Sequence, residues 1–207
     1  MSPEATSAAQ RAYEEIKARV LDGRLAVRTR IDVEVLARDL GVSSMPVRQA
    51  LGLLTWERLV QPGRHSAFEV ALWSGLELSN LYEWRGALLM LVLPSSAAGS
   101  ELKRTARTQP YAQAVTSVMR LIENGANPNL RRAAANADDR LHQARLIEPE
   151  VLGDVQQEFE TLIAAIAERS RRSSALIKSY LRRRIQNAEA LRERVALRAL
   201  PHNGEPR

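Results

Sequence analysis

Apolar residues first recur with a helical period over Ala8–Leu21, where Ala12, Ile16 and Val20 share one face with Tyr13 and Leu21 beside them. Asp22-Gly23 ends this helix, the glycine suiting a left-handed cap. A second helix is predicted over Val33–Leu40, with Asp32 as N-cap, Leu36 and Leu40 turned inward and Gly41 as the stop. Ser43 or Ser44 caps a third helix from about Met45 to Arg58. Pro46 lies in its first turn, where a missing N–H costs nothing. Val47, Leu51 and Leu54 form the buried stripe of that helix, with Ala50 alongside. The period then changes. Leu59-Val60-Gln61 and Ala67–Ala71 read as two short strands around Pro62-Gly63-Arg64-His65-Ser66, a hairpin with a basic tip. Helix, helix, turn, helix and hairpin in that order make a winged helix-turn-helix.

Beyond Trp73-Ser74-Gly75 the pattern is helical throughout. Helices are expected near 76–98, 101–124, 129–147, 150–170 and 174–200. The breaks fall at Pro94, Asn124–Pro128, Pro149 and Ser173-Ser174. In the last helix Ile177, Leu181, Ile185, Ala188, Leu191 and Val195 form an apolar seam. Lys178, Arg182, Arg183, Arg184, Arg192 and Arg194 lie between them, as a solvated basic face or a second surface for an acidic partner. The fold class is therefore mainly α: a winged helix-turn-helix followed by an all-α bundle. The expected organisation is a disordered tail over 1–7, a DNA-binding domain over 8–72, a linker over 73–77 and a helical ligand-sensing or dimerisation domain over 78–207.

Charge and composition modify this picture only at points. The 207 residues carry a net charge of +6, which suits a polyanionic partner. Yet residues 1–75 hold ten Lys/Arg against nine Asp/Glu, so the excess base lies mainly in the C-terminal part and charge alone is a poor argument for DNA binding. The absence of cysteine removes disulfides, thiolate zinc sites and cysteine nucleophiles. The start lacks the apolar core of a signal peptide, and the longest apolar run, Gly86–Pro94, is far too short to span a bilayer. A cytoplasmic location is expected. Asp138 and His142 are the one evident acid/imidazole pair, and no nucleophile or oxyanion donors accompany them, so an enzyme is not expected and no catalytic residue is assigned.

The candidate DNA-reading residues follow from the geometry of the motif. The N-terminal end of the third helix enters the major groove, so its exposed side chains must be polar. Ser43, Ser44, Met45, Arg48 and Gln49 occupy that end. Arg48 can pair with guanine and Gln49 with adenine through two hydrogen bonds, each contributing roughly 1–3 kcal/mol of discrimination. Arg64, His65 and Ser66 at the wing tip suit phosphate or minor-groove contacts.

This stretch resembles the GntR superfamily of bacterial transcriptional regulators. Leu36-Ala37, Leu40-Gly41-Val42-Ser43, Pro46-Val47-Arg48, Ala50-Leu51, Leu54, Glu57 and Leu59-Val60 stand in register with the family pattern. The upstream Tyr13, Ile16, Val20, Asp22-Gly23 and Leu25 fit as well. Departures are specific. Ser44 replaces the usual arginine, Gln49 the usual glutamate, Val27-Arg28 a Pro-Gly, Arg58 a glycine and Ser66 the wing glycine. The operator implied by the resemblance is a two-fold site read by a homodimer, and the missing arginine implies altered or weakened reading.

The second half resembles the effector domain of the FadR-like branch, known as FCD. Asp138 and His142, four apart on one helix, match that family's metal-binding helix, and Leu81–Arg85 matches its first effector helix, whose arginine faces a ligand cavity. The resemblance implies an effector site at Arg85, Asp138, His142 and Tyr180, a divalent metal at Asp138 and His142, and a small-molecule effector of the carboxylate class. No histidine stands at the third-ligand position, and Tyr180 with His202 would make an unusual completion. The implied function is a ligand-responsive repressor of transcription. The alternative is a constitutive or architectural DNA binder, or a protein-docking module, with a decayed sensor.

Overall fold

The computed structural model describes residues 7–63, 67–93 and 99–199. The wing-tip residues Arg64, His65 and Ser66, the break at Pro94 and His202 lie outside the described residues. The chain divides into two compact units, Met1–Leu72 with the segment from Ala196 onward, and Trp73–Val195.

The first unit contains α1 (Ala8–Leu21), β1 (Arg30–Ile31), α2 (Val33–Leu40), α3 (Ser44–Trp56), β2 (Val60–Pro62) and β3 (Phe68–Val70). Ser7 is not part of a tail: its side chain accepts from the Gln10 amide and caps α1. The apolar stripes of α1 and α3 meet, burying Ile16 against Val47, Leu51 and Leu54, all with no more than a trace of exposure. A polar tie reinforces this packing. The Tyr13 hydroxyl and Lys17 ammonium donate to the two oxygens of Glu57 at 2.6 and 2.9 Å. The sheet order is β1-β3-β2, both pairings antiparallel, with Arg30 opposite Glu69 and Gln61 opposite Glu69 on its other side. The hairpin pattern predicted β2 and β3. It missed β1, because a strand of this length has no period of its own and exists only through its pairing with β3.

Four corners of this unit use left-handed backbone, the first at Gly23 (φ 80°) just after α1. Gly41 (φ 64°) ends α2, and the Val42 amide reaches back to the Ala37 carbonyl. Arg58 (φ 59°) plays the same part after α3, with the Leu59 amide donating to the Leu54 carbonyl. Arg28 (φ 63°) leads into β1. Arg28 and Arg58 are two of the positions where the GntR pattern has glycine. An L-residue there carries a steric cost of about 1–2 kcal/mol between Cβ and carbonyl.

The second unit is a bundle of α4 (Gly75–Val92), α5 (Gly99–Thr108), α6 (Tyr111–Glu123), α7 (Pro128–Leu152), α8 (Val155–Ala167), α9 (Ser173–Gln186) and α10, which begins at Ala188. Gly75 and Leu76, expected in a linker, instead open α4, because Ser74 and Glu77 form a reciprocal capping box. The single helix expected over 101–124 is two, since Pro110 pushes Gln109 away from helical backbone. Pro149 does not break α7, which continues to Leu152 before Gly153 ends it. Packing against neighbouring helices outweighs the one hydrogen bond that proline removes. The last helix divides at Asn187 into α9 and α10. Gly86 lets α4 and α9 approach closely: a Cβ there would overlap the Leu181 side chain. Phe159, fully buried, sits at the centre of the core with the Tyr111 ring edge-on at 6.0 Å.

The strained corner gives a direct test. Arg58→Gly relieves the left-handed cost and loses part of the gain to the freer unfolded chain. It is expected to raise the unfolding free energy by about 0.5–1 kcal/mol in urea titration, whereas Arg58→Val is expected to lower it.

Candidate functional site

Helix α3 is packed from behind and open in front. Val47, Ala50, Leu51 and Leu54 are buried, which turns Met45, Arg48, Gln49, Leu53 and Trp56 outward. Ser43 occupies the N-cap without using its hydroxyl as a cap, and Ser44 is half-buried beside it. Arg48 and Gln49 are both exposed, one turn in from the start of α3. Sequence reasoning missed the other end of this face. Trp56 is 89% exposed and Leu53 51%, on the same side as the 63% exposed Met45 at the start of the helix. The signal was available: Trp56 stands eleven residues after Met45, three helical turns along the same line and opposite the buried stripe. The outward face therefore carries Arg48 and Gln49 beside an exposed Met45 at its N-terminal end, and is apolar at its C-terminal end.

In the helical unit the residues assigned to an effector separate into two buried networks. The first is built on Asp138. Its carboxylate accepts from Arg85 through Nε at 2.7 Å and Nη2 at 3.1 Å, and from Arg145 Nη2 at 2.6 Å. Arg85 Nη2 also lies 2.6 Å from Glu123 Oε1. Burial raises the Asp138 pKa, but the two guanidinium groups more than offset it and hold the carboxyl below its ordinary range. Burial pushes the neighbouring Glu123 carboxyl up, against the opposing pull of Arg85.

The second network surrounds Glu148, which has no exposed surface. Tyr82 donates to its Oε1 at 2.7 Å, and Tyr111 and Arg184 Nε both donate to its Oε2. The Tyr180 hydroxyl joins through Tyr111 at 2.7 Å. Burial, and then the Glu148 charge, push the Tyr82 and Tyr111 phenols well up. Arg184, expected on a solvated basic face, is fully buried here, and its guanidinium stacks 3.3 Å over the Tyr180 ring. The buried line of α9 and α10 runs through Ile177, Tyr180, Arg184 and Ala188, while Leu181 and Ile185 of the expected seam are only half-buried. An ion pair with Glu148 is what brings the arginine inward.

A small cavity of about 20 Å³, room for about one water, lies between α4, α6, α7 and α9. Arg85, Arg145 and Tyr180 line it together with Leu89, Val115, Met119 and Ile177. Asp138 stands behind Arg85 and Arg145, and His142 is not part of the lining. Arg145 was missed by sequence reasoning, although it stands seven residues after Asp138 and so on the same face of α7.

The metal implied by the FCD resemblance does not fit these residues. Asp138 is already neutralised by two guanidinium groups, whose charge would repel a cation at that carboxylate. The Tyr180 hydroxyl is engaged with Tyr111. Among the described residues no group of three or more His, Cys, Asp or Glu is placed to hold an ion. His142 is half-buried, and burial followed by the charge of Arg145 holds its imidazole below the ordinary 6.5.

That last shift has a measurable consequence. A depressed imidazole pKa means that the unfolded chain binds the proton more readily than the folded one. The contribution is present above pH 6.5 and is lost as pH falls below it. His142→Gln is expected to lose less unfolding free energy than the parent between about pH 7.5 and about pH 5.5, measured by denaturant titration. Equal losses would mean that the imidazole titrates alike in both states.

Solved structures resemble the chain over nearly its full length. The E. coli protein McbR/YncC aligns with a TM-score of 0.66 at 18% identity, covering 92% of this chain and 99% of that one. A transcriptional regulator of the GntR type from Rhodococcus sp. RHA1 aligns with a TM-score of 0.66 at 13% identity, covering 91% and 97%. The Listeria monocytogenes protein Lar, described as controlling expression of the agr system, aligns with a TM-score of 0.53 at 16% identity, covering 93% and 99%. No curated protein matches at a significant level. These likenesses establish the two-part fold. Residues 8–70 match the model of the bacterial regulatory proteins of the gntR family, so this segment is similar to the DNA-binding domain of those regulators.

Proposed function

We propose that this chain is a gntR-type regulator, a homodimeric, ligand-responsive repressor of transcription acting in the cytoplasm. The observation that carries the DNA-reading part is the exposed N-terminal end of α3, where Arg48 and Gln49 stand free on a helix fixed from behind by α1. Ser43, Ser44 and Met45 complete the contacts at the groove edge. Arg64, His65 and Ser66 of the wing tip serve the phosphate backbone.

Dimerisation has its own support. Helix α4 exposes Leu76, Trp84 and Leu91, with Met90 at the edge of the same side, an apolar stripe along a helix of 18 residues. A stripe of this kind is rare on a monomer and suits a second copy of the same helix across a two-fold axis. The effector belongs beside Arg85 and Tyr180, with Asp138 and His142 behind and beside them. Its binding would bias the bundle between arrangements that differ in operator affinity.

The apolar C-terminal end of α3 favours a second reading, in which Leu53 and Trp56 dock a protein and DNA binding is constitutive. Selection from a random double-stranded library separates the two. A two-fold site with half-site centres about one helical turn apart is expected, and Arg48→Ala should weaken it by roughly 1–3 kcal/mol and relax one position. Sequence-blind binding, unaffected by Arg48→Ala, would favour docking. For the dimer, Trp84→Glu with Leu91→Glu is expected to sediment as a folded monomer with weakened operator binding. Persistence of the dimer would remove α4 as the interface.

A further inference from the structure

Met45 is the second residue of α3, and its side chain is 63% exposed. A single exposed apolar residue is ordinary on a protein surface. This one shares its place with the two side chains that suit base edges. Arg48 and Gln49 follow three and four residues later, on the same side of the helix, and both are exposed as well. Val47, Ala50 and Leu51 are buried and fix the opposite side against the core. Ser44 and Pro46, on either side of Met45, are short and half-buried, so the thioether chain extends furthest from the start of the helix. The same line continues at Gly52, where the place of a Cβ is open and no side chain stands between the backbone and a surface laid against it.

A major groove presents hydrogen-bond donors and acceptors from every base pair and one apolar group, the C5-methyl of thymine. Arg48 and Gln49 can meet the polar groups, whereas the thioether of Met45 is at most a weak acceptor. Set against a polar base edge, Met45 would displace water and return no hydrogen bond. Set against a methyl group, it buries apolar surface on both partners. Its three rotatable bonds let it follow the position of the methyl. We propose that Met45 selects thymine by packing on the 5-methyl group of that base in each half-site. On the DNA-reading role of α3, on which this rests, Met45 specifies a base that neither Arg48 nor Gln49 reads. Met45 and Arg48 stand about 4.5 Å apart along the helix axis, close to the step of roughly 3.4 Å between base pairs. The thymine therefore lies about one step from the pair that Arg48 or Gln49 meets. Selection of this kind works by burial alone, so it separates thymine from uracil, whose polar edge is the same and which lacks the methyl.

The test uses the full chain and the two-fold site recovered from a random double-stranded library. Each thymine of a half-site is replaced in turn by deoxyuridine, still opposite adenine, and binding is measured by fluorescence anisotropy at fixed salt. One replacement, about one step from the position relaxed by Arg48→Ala, is expected to weaken binding by about fourfold, the factor that the burial of one methyl group supplies. Met45→Ala is expected to bind the thymine and uracil sites alike, and Met45→Leu to keep the preference. Thermal unfolding of both variants is expected to match that of the parent, since the side chain is exposed. A parent indifferent to uracil at every thymine, while Arg48→Ala still weakens the site, would overturn the proposal and leave α3 as the reading helix. So would a preference for thymine over uracil that survives Met45→Ala unchanged, or a selected half-site without thymine near the Arg48 position. Binding without any selected site would remove the DNA-reading role of α3, and the thymine contact with it.

Discussion

Glu148 is a carboxyl group with no exposed surface inside an apolar bundle, and the helical unit is organised around meeting its oxygens with donors. An isolated buried carboxylate is strongly unfavourable, so its lone pairs must be met by donors in fixed positions. Those donors come from separate elements: Tyr82 from α4, Tyr111 from α6 and Arg184 from α9, while Glu148 itself belongs to α7. One buried side chain therefore ties four helices together. Leaving any of these donors out would strand a buried group, a loss of about 3–5 kcal/mol where the missing partner is the arginine. The network also consumes the hydroxyls of Tyr111 and Tyr180, and so leaves the cavity beside it with no polar groups to offer except the guanidinium groups.

The neighbouring Asp138 network has the same parts and a different outcome. One carboxylate holds two arginines, and neither arginine is exhausted by it. A saturated network thus stands next to an unsaturated one in the same bundle. The pairing at Asp138 explains how a chain that keeps the Asp and His of a metal-binding pattern departs from metal chemistry. The cationic role at Asp138 is filled by side chains.

In the DNA-binding unit the physical constraint is different. Here α3 is fixed from one side by apolar packing on α1 and by the Tyr13–Lys17–Glu57 tie, and ended by a left-handed arginine. The outward face is free to vary because nothing in the core depends on it. That freedom is visible in its composition: Arg48 and Gln49 beside Met45 at the groove end, Leu53 and Trp56 at the other.

The sequence alone determined the elements whose signals are local. The stripes of α1, α2 and α3, the stop at Gly41 and the hairpin strands follow from side-chain period and turn chemistry within a few residues, and so the winged helix was legible. So were Arg48 and Gln49, since exposure at a helix start is a local property. The tertiary structure decided whatever depends on a partner far along the chain. Strand β1 exists only through β3, and Pro149 stays helical only because α7 is packed on its neighbours. Arg184 reads as surface by composition and is buried by a glutamate 36 residues away. Arg85, Arg145 and Asp138 acquire their meaning only when α4 and α7 bring them together, because charge pairing in a low-dielectric interior is set by distance in space and has no period along the chain.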